Sequence, residues 1–226
     1  MARRGRFIAL EGGEGTGKST QAAALAGHLG AVLTREPGGT PIGARLRAVL
    51  LDPDLGRLND RSEALLMAAD RAQHVDEVIV PALAAGRDVV TDRFSGSTLA
   101  YQGFGRGMDV GHLRRLSEWA ADGVEPDVVV LLVVPAEVAA DRLRVRASDR
   151  LGGRVADRLE NEHVSFHDRV RSGYQTLADD NPDRWVVVDG AGSVAEVAAQ
   201  VWAVCVSRLA ALGQPVADRR ALHPPW

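Results

Sequence analysis

Phe7-Ile-Ala-Leu-Glu-Gly-Gly-Glu-Gly-Thr-Gly-Lys-Ser-Thr20 is the stretch on which the fold turns. Phe7–Leu10 reads as a short buried strand that runs into glycines. Gly12-Gly-Glu-Gly-Thr-Gly-Lys-Ser19 then fits the spacing G-x-x-x-x-G-K-[ST], and an Ala/Leu-rich helix over 18–29 follows, closed near Gly30. Strand, glycine loop and helix in that order form a cradle for phosphate. Gly12, Gly13, Gly15 and Gly17 let the backbone wrap with its N–H groups inward, Glu14, Thr16 and Thr20 complete the loop, and the helix adds its positive end. Lys18 places a point charge on β- and γ-phosphates, and the Ser19 hydroxyl is a candidate ligand of Mg2+. This loop implies a bound nucleoside triphosphate but does not separate a kinase from a switch or a motor.

Outward from it, strand-like and helix-like segments alternate. Strands are expected at 31–34, at Asp88-Val-Val-Thr-Asp92, over 127–134 and at 185–188. The run Val128-Val-Val-Leu-Leu-Val-Val134 is unbroken, as in a central parallel strand covered on both faces. Helices are expected over 42–51, 61–85 with a kink at Pro81, 109–121, 135–146, 159–178 and 194–212. Five strands separated by helices imply an α/β fold with a doubly wound parallel sheet. Such sheets bind ligands beyond the carboxyl ends of their strands, which puts the chemistry in loops near 11–18, 35–41, 92–102 and 189–192. The expected organisation is a single domain over 1–212, with a Gly152-Gly153 flap at about 147–158 and a poorly ordered tail over 213–226.

A chain of 226 residues with 46% apolar and 25% charged residues suits one soluble domain. Its net charge of −3 gives no basic field for nucleic acid, so no nucleic-acid partner is expected. The single Cys205 sits in an apolar helical pattern and reads as a buried structural thiol in a reducing compartment. The six histidines show no zinc spacing. The apolar run after the basic start is too short for a signal peptide, and none approaches the ~20 residues of a membrane span, so the expectation is a cytoplasmic protein with no membrane partner.

Asp92, at a strand end beside the phosphate loop, is placed either to hold Mg2+ or to cap the next helix. Arg35, Arg47, Arg71 and Arg93 recur at positions facing the same end of the sheet. Each alone reads as a surface charge, but together they suggest a pocket for a second phosphorylated molecule. Arg142, Arg144, Arg146, Arg150, Arg154 and Arg158 bracket the flap. They read either as a surface helix or as a mobile arginine supply that closes over the γ-phosphate.

With these blocks in view the chain resembles thymidylate kinases, which phosphorylate dTMP to dTDP with ATP. The resemblance runs from about Arg6 to Leu209. It rests on the opening stretch and on Thr34-Arg-Glu-Pro-Gly-Gly-Thr40, Ala69-Asp-Arg-Ala-Gln-His74, Asp92-Arg-Phe94, Ser97-Thr-Leu-Ala-Tyr-Gln-Gly103 and Asp157-Arg-Leu-Glu160. It implies a P-loop nucleoside monophosphate kinase fold, ATP as donor, Mg2+, and a homodimer. By the same resemblance, Glu14 would contact the acceptor's sugar hydroxyl, and Arg35, with Glu36 in the same block, Arg47 and Arg93 would hold or approach its phosphate. Arg71 would meet the thymine carbonyl, Thr98 and Gln102 would finish the base pocket, and Tyr101 would crowd the sugar 2′ position.

Two positions depart from the pattern. Met67 stands where many relatives have an aromatic ring against thymine. Gly15 stands where some have a catalytic arginine, which shifts that role to the flap: Arg150 and Arg154 first, then Arg144 and Arg146. The rival readings are another (deoxy)nucleotide kinase, favoured by Met67, and a P-loop switch ATPase, which has no use for a second-nucleotide pocket.

Overall fold

A computed structural model describes residues 4–56, 58–148, 157–214 and 216, with 146 and 147 described by backbone alone. The expected flap arginines Arg150 and Arg154, and nearly all of the expected tail, lie outside the described residues.

Five parallel strands form one sheet in the order β2-β3-β1-β4-β5: β1 Phe7–Glu11, β2 Val32–Arg35, β3 Val89–Asp92, β4 Val128–Val133 and β5 Trp185–Asp189. β1 lies in the middle, with Ile8 in register with both Val90 and Val128, and all of its residues are buried. Successive side chains alternate across it. Ile8 and Leu10 point into a core with Leu25, Val130, Val201 and Leu209, whereas Phe7 and Ala9 point into one with Ile79, Leu83, Phe94 and Val129. Removing Leu10 to alanine would open a cavity on one face at a cost of about 2–5 kcal/mol. The chain winds to β2 and β3 on one side of β1 and to β4 and β5 on the other, so the crevice where connections diverge lies at the carboxyl end of β1.

Helices cover both faces. α1 (Lys18–Leu29) and α9 (Val194–Ala211) lie on the first, and α9 starts at a capping box between Ser193 and Glu196. α9 has 18 residues with mean hydropathy 1.4, long and apolar enough to cross a membrane by length and composition, contrary to the expectation that no apolar run comes near a span. Its Val197, Val201, Cys205 and Leu209 are instead buried against α1 and the sheet. Burial pushes the Cys205 thiol up to about 12, which fits an inert thiol.

The second face carries α2 (Pro41–Leu51), α3 (Asp60–His74), α4 (Val80–Ala84), α5 (Ser95–Thr98), α6 (Val110–Ala120) and α8 (Val164–Asp179), while α7 (Ala136–Ser148) follows β4. Two expectations need correction here. The helix expected over 61–85 is interrupted upstream of Pro81, because Val75–Ile79 widens into a π-helical turn between α3 and α4. Pro81 has no N–H for the carbonyl four residues before it, and the wider turn absorbs that mismatch. The segment after β3 is not loop throughout: α5 continues as a π-helical turn over Leu99–Gly105. Its glycines hid it from periodicity, and they are needed for packing. A Cβ on Gly105 would lie 2.6 Å from the Phe166 ring, and one on Gly173 would lie 2.5 Å from Phe104, so α8 lies directly on this turn.

Candidate active site

The loop between β1 and α1 holds left-handed backbone at Gly15 (φ 76°) and Gly17 (φ 93°). Gly17 caps α1 with no side-chain bond, which leaves the first-turn N–H groups to a ligand. At Gly15 a Cβ would lie 2.5 Å from the Ala139 carbonyl on α7, so an arginine could not replace it without moving α7. Lys18 Nζ donates to the Gly13 carbonyl at 2.5 Å, and Thr16 Oγ1 donates to the same oxygen at 3.0 Å. Burial, and then repulsion from Arg93, lower the Lys18 ammonium to about 8.

β3 delivers Asp92 beside this loop. Ser19 Oγ donates to Asp92 Oδ2 at 2.5 Å, while Asp92 Oδ1 is buried with no partner among the described residues. A hydroxyl and a carboxylate with an orphaned oxygen form a hard-oxygen pair that fits Mg2+. No group of three or more His, Cys, Asp or Glu side chains that could hold a metal occurs among the described residues.

Arg93 follows at φ 75°, a left-handed conformation that costs a non-glycine residue about 1–3 kcal/mol and persists only where its surroundings hold it. Those surroundings are dense. Nη1 donates to the Gly12 carbonyl at 3.0 Å and to Ser97 Oγ and Tyr174 Oη at 3.1 Å. Nη2 donates to Tyr101 Oη at 3.1 Å and pairs with the Glu14 carboxylate. The guanidinium also lies 5.0 Å from the Tyr101 ring centre. Burial opposes its charge, but Glu14, then Tyr101 and Tyr174, hold it firmly protonated.

Beneath Arg93, Glu11 closes β1. It is 1% exposed and accepts from Phe94 N at 2.9 Å, Ser97 N at 3.1 Å, Ser97 Oγ at 2.6 Å and Tyr174 Oη at 3.1 Å. Burial raises its carboxyl in spite of these donors. Neither Glu11 nor Tyr174 is among the candidate site residues to which the sequence points. A glutamate at the end of an otherwise apolar buried strand is a legible signal, whereas Tyr174 sits in an ordinary amphipathic helix.

The wall opposite the loop comes from β2, α3 and α5. Glu36 accepts from Arg71 Nε at 3.0 Å and from His74 Nδ1 at 2.9 Å. A carboxylate only accepts, so Nδ1 carries hydrogen, and in the neutral ring Nε2 accepts from Thr34 Oγ1 at 2.6 Å. Arg71 Nη1 reaches Ser117 Oγ at 3.2 Å and Nη2 reaches Thr98 Oγ1 at 3.0 Å, which fixes the plane of the guanidinium. Asp70 accepts from Gly38 N at 2.9 Å, and burial, then Glu36, lift its carboxyl to about 6. Arg47 Nη1 donates to the Pro37 carbonyl at 2.9 Å.

One cleft enclosing about 1030 Å³ of empty space, open to solvent, runs between these walls. Glu14, Gly15, Gly17, Lys18 and Ser19 line it from the loop and Asp92 and Arg93 from the end of β3. Arg35, Glu36, Arg47, Met67 and Arg71 line it from the opposite wall, with Thr98, Tyr101 and Gln102. Gly13 and Thr16 face a neighbouring cavity against α7 and α8, and Thr20 is exposed on α1. Arg144 pairs with Asp141 on the exposed face of α7. Arg142 donates to the Gly190 carbonyl at 2.8 Å.

A triphosphate cradle and a second arginine-lined wall meet across one cleft at the switch point of the sheet, and this defines a P-loop nucleoside monophosphate kinase. Residues 10–201 match the family model for thymidylate kinase. The chain is 46% identical over 211 residues to the thymidylate kinase of Geotalea uraniireducens, covering 91% of this chain and 99% of that protein. It is 48% identical over 210 residues to that of a Synechococcus strain, covering 91% and 97%. The crystal structure of thymidylate kinase from Ehrlichia chaffeensis superposes with a TM-score of 0.72 at 31% identity, covering 89% of this chain and 99% of that one. The chain belongs to the thymidylate kinase family.

Proposed function

We propose that this chain transfers the γ-phosphoryl group of ATP to the phosphate of dTMP, giving dTDP for dTTP biosynthesis, with the residues of the cleft in the roles set out below. The enzyme is a nucleoside monophosphate kinase whose acceptor is already an anionic oxygen. It needs no strong general base, and its main task is to hold two anions that repel each other in line. The observation that carries this reading is Arg93. It is a guanidinium locked between the phosphate loop at Gly12 and the opposite wall at Tyr101, where donor and acceptor phosphates would meet.

The loop N–H groups, the start of α1 and Lys18 hold the β- and γ-phosphates. Ser19 and Asp92 would hold Mg2+, which when bound would neutralise charge on those phosphates. Arg35, Arg47 and Arg93 take the acceptor phosphate, and Glu36 acts through Arg71, which it orients. Glu14 meets the sugar hydroxyl, and Tyr101 fills the space a 2′-hydroxyl would need. Arg71 donates to the thymine carbonyl, Thr98 and Gln102 complete the polar edge, and Met67 packs on the ring. The flap arginines Arg150 and Arg154, with Arg144 and Arg146 behind them, supply further positive charge to the transferring group. The single domain spans 1–212 and includes the flap at about 147–158, the tail over 213–226 lies outside it, and the enzyme is cytoplasmic.

A homodimer fits the exposed Leu65 and Trp119, 58% and 80% accessible on the adjoining helices α3 and α6. Light scattering is expected to give twice the chain mass. ADP release measured with dTMP, dUMP, dCMP and thymidine as acceptors tests the reaction itself. dTMP should give the highest kcat/KM, and preference for any other acceptor would overturn the assignment.

A further inference from the structure

Behind the acceptor wall lies a set of charges that the roles above leave unused. Glu63, in the first turn of α3, has no exposed surface. Its Oε1 accepts from Gln102 Nε2 at 2.7 Å and Arg106 Nε at 3.3 Å, and its Oε2 accepts from Arg106 Nη2 at 3.1 Å. Arg158 Nη2 lies 2.6 Å from the same Oε2, an ion pair by distance whose angle does not make a hydrogen bond. The arginines are themselves fixed. Arg106 pairs with Glu162 at 2.5 Å and lies 4.7 Å from the Phe166 ring centre, and Arg158 Nε donates to the Leu50 carbonyl at 3.0 Å. Burial works against charge on Glu63, but the Arg106 and Gln102 bonds and the two guanidinium charges hold its carboxyl below the usual range.

An ionised carboxylate has nothing to donate, so only the NH2 end of the Gln102 amide can face it. The other end of the amide is thereby set. Gln102 Oε1 is buried with no partner among the described residues, and Gln102 lines the cleft. Such an orphaned acceptor needs a donor, and a bound base that supplies one is favoured over a base that presents another acceptor.

We infer that Glu63 is a positioning residue for base specificity: it holds the Gln102 amide with its carbonyl toward the base, so that the pocket selects a pyrimidine carrying hydrogen on N3. Thymine and uracil carry that hydrogen, whereas cytosine presents a lone pair at N3 and an amino group in place of the carbonyl that Arg71 would meet. The inference rests on reading the cleft as a pyrimidine monophosphate site. Replacing Glu63 by glutamine inverts the arrangement. Arg106 and Arg158 claim the new amide oxygen at the Oε2 position, which leaves an NH2 facing Gln102, and Gln102 must then turn its carbonyl toward it.

The test compares kcat/KM for dTMP and 5-methyl-dCMP, which share the methyl group and differ only along the polar edge, in the wild-type enzyme, Glu63→Gln and Gln102→Leu. The expected result is a fall of at least about tenfold in the dTMP preference of Glu63→Gln, with KM for ATP unchanged. A parallel loss for both acceptors would make Glu63 merely structural and overturn the inference. If Gln102→Leu lowers the preference while Glu63→Gln does not, the inference fails and the base pocket stands. If neither changes it, the base pocket itself is misplaced. Should Glu63→Gln not fold, amide exchange of the Gln102 side chain in the wild-type protein decides: slow exchange of its NH2 without ligand is expected, and fast exchange would refute the fixed orientation.

Discussion

Arg93 Nη1 and Tyr174 Oη lie 3.1 Å apart, and the same hydroxyl lies 2.8 Å from Ser97 Oγ and 3.1 Å from Glu11. A residue of α8 thus reaches through the turn after β3 to support the guanidinium at the centre of the cleft. Because Arg93 is strained and over-determined, its position depends on these partners rather than on local backbone preference. Replacing Arg93 by lysine exchanges a planar fork for a point charge and should lower kcat on the order of 10²–10³-fold. Tyr174→Phe keeps the ring and removes only the hydroxyl; it should lower kcat by roughly three- to tenfold and, because buried Glu11 loses a donor and Arg93 an acceptor, cost about 1–3 kcal/mol of stability. Steady-state kinetics and calorimetry on the two variants check both outcomes. An Arg93→Lys enzyme within twofold of wild type would remove Arg93 from the chemistry.

Lys18 should set the alkaline limb of nucleotide use. Burial and the neighbouring Arg93 lower its ammonium to about 8 in the free protein. Below that pH it is charged and attracts phosphate; as pH rises through about 8 it becomes neutral and the attraction is lost. The profile of kcat/KM for ATP, which reports the free enzyme, should therefore fall above about pH 8. The profile of kcat should fall at higher pH, because bound phosphate favours the charged lysine. Lys18→Ala should remove this limb and lower kcat on the order of 10²–10³-fold while leaving the fold intact. A wild-type profile flat to pH 10 would contradict the assigned protonation.

Glu11 tests what holds the cleft together. Its two oxygens receive four donors from Phe94, Ser97 and Tyr174. Glu11→Gln would turn an NH2 toward groups that themselves donate, leaving buried polar atoms opposed. The variant should lose about 2–4 kcal/mol of stability, read by denaturant unfolding, with a larger fractional loss in kcat than in affinity for ATP. Wild-type stability in this variant would mean that the network contributes nothing to folding.

The strands were legible because a parallel sheet covered on both faces leaves runs such as 128–134 with no polar interruption, and α1 because glycines bracket it. The phosphate loop was legible because its chemistry is local: Lys18, Ser19 and the glycines lie next to one another in sequence. The arginines of the acceptor wall were legible as a cluster facing one end of the sheet, whereas its base contacts were reached only through resemblance. Arg71, Thr98 and Gln102 come from separate elements, and nothing in their spacing reports that α3 lies against the turn after β3. The partners of those residues were harder still. Glu63 meets Gln102 across 39 positions and Glu11 meets Tyr174 across 163, and such pairings exist only once the layers have packed.

Asp70 carries a charge that the fold would be more stable without. Burial, then Glu36, lift its carboxyl to about 6, above an ordinary aspartate. With the folded value raised, the folded protein binds a proton more readily than the unfolded chain between about pH 6 and 4. The ionised side chain therefore costs stability at pH 7, and the cost is relieved as pH falls through about 6. Asp70→Asn keeps an acceptor for Gly38 N and removes the charge. It should raise stability at pH 7 by about 1 kcal/mol, roughly 2–4 °C in a chain of this size, with the gain gone near pH 4. Thermal unfolding at the two pH values checks this, and an equal gain at both would rule out ionisation as its source.

Met67 stands one helical turn beyond Glu63 on the same side of α3, lines the cleft and packs with the apolar cluster that includes Tyr101. A thioether gives the base dispersion contact without the preferred geometry of a stacked ring. Met67→Phe should supply that stacking at a position bordering open space, so the larger side chain has room. An aromatic pair contributes about 0.5–1.5 kcal/mol beyond burial, which corresponds to a roughly two- to tenfold fall in KM for dTMP with KM for ATP unchanged. The effect should be equal for dTMP and 5-methyl-dCMP, because stacking reads the face of the ring and Gln102 reads its edge. A change in KM for ATP would place Met67 against the donor, and no change in either KM would take it off the base altogether.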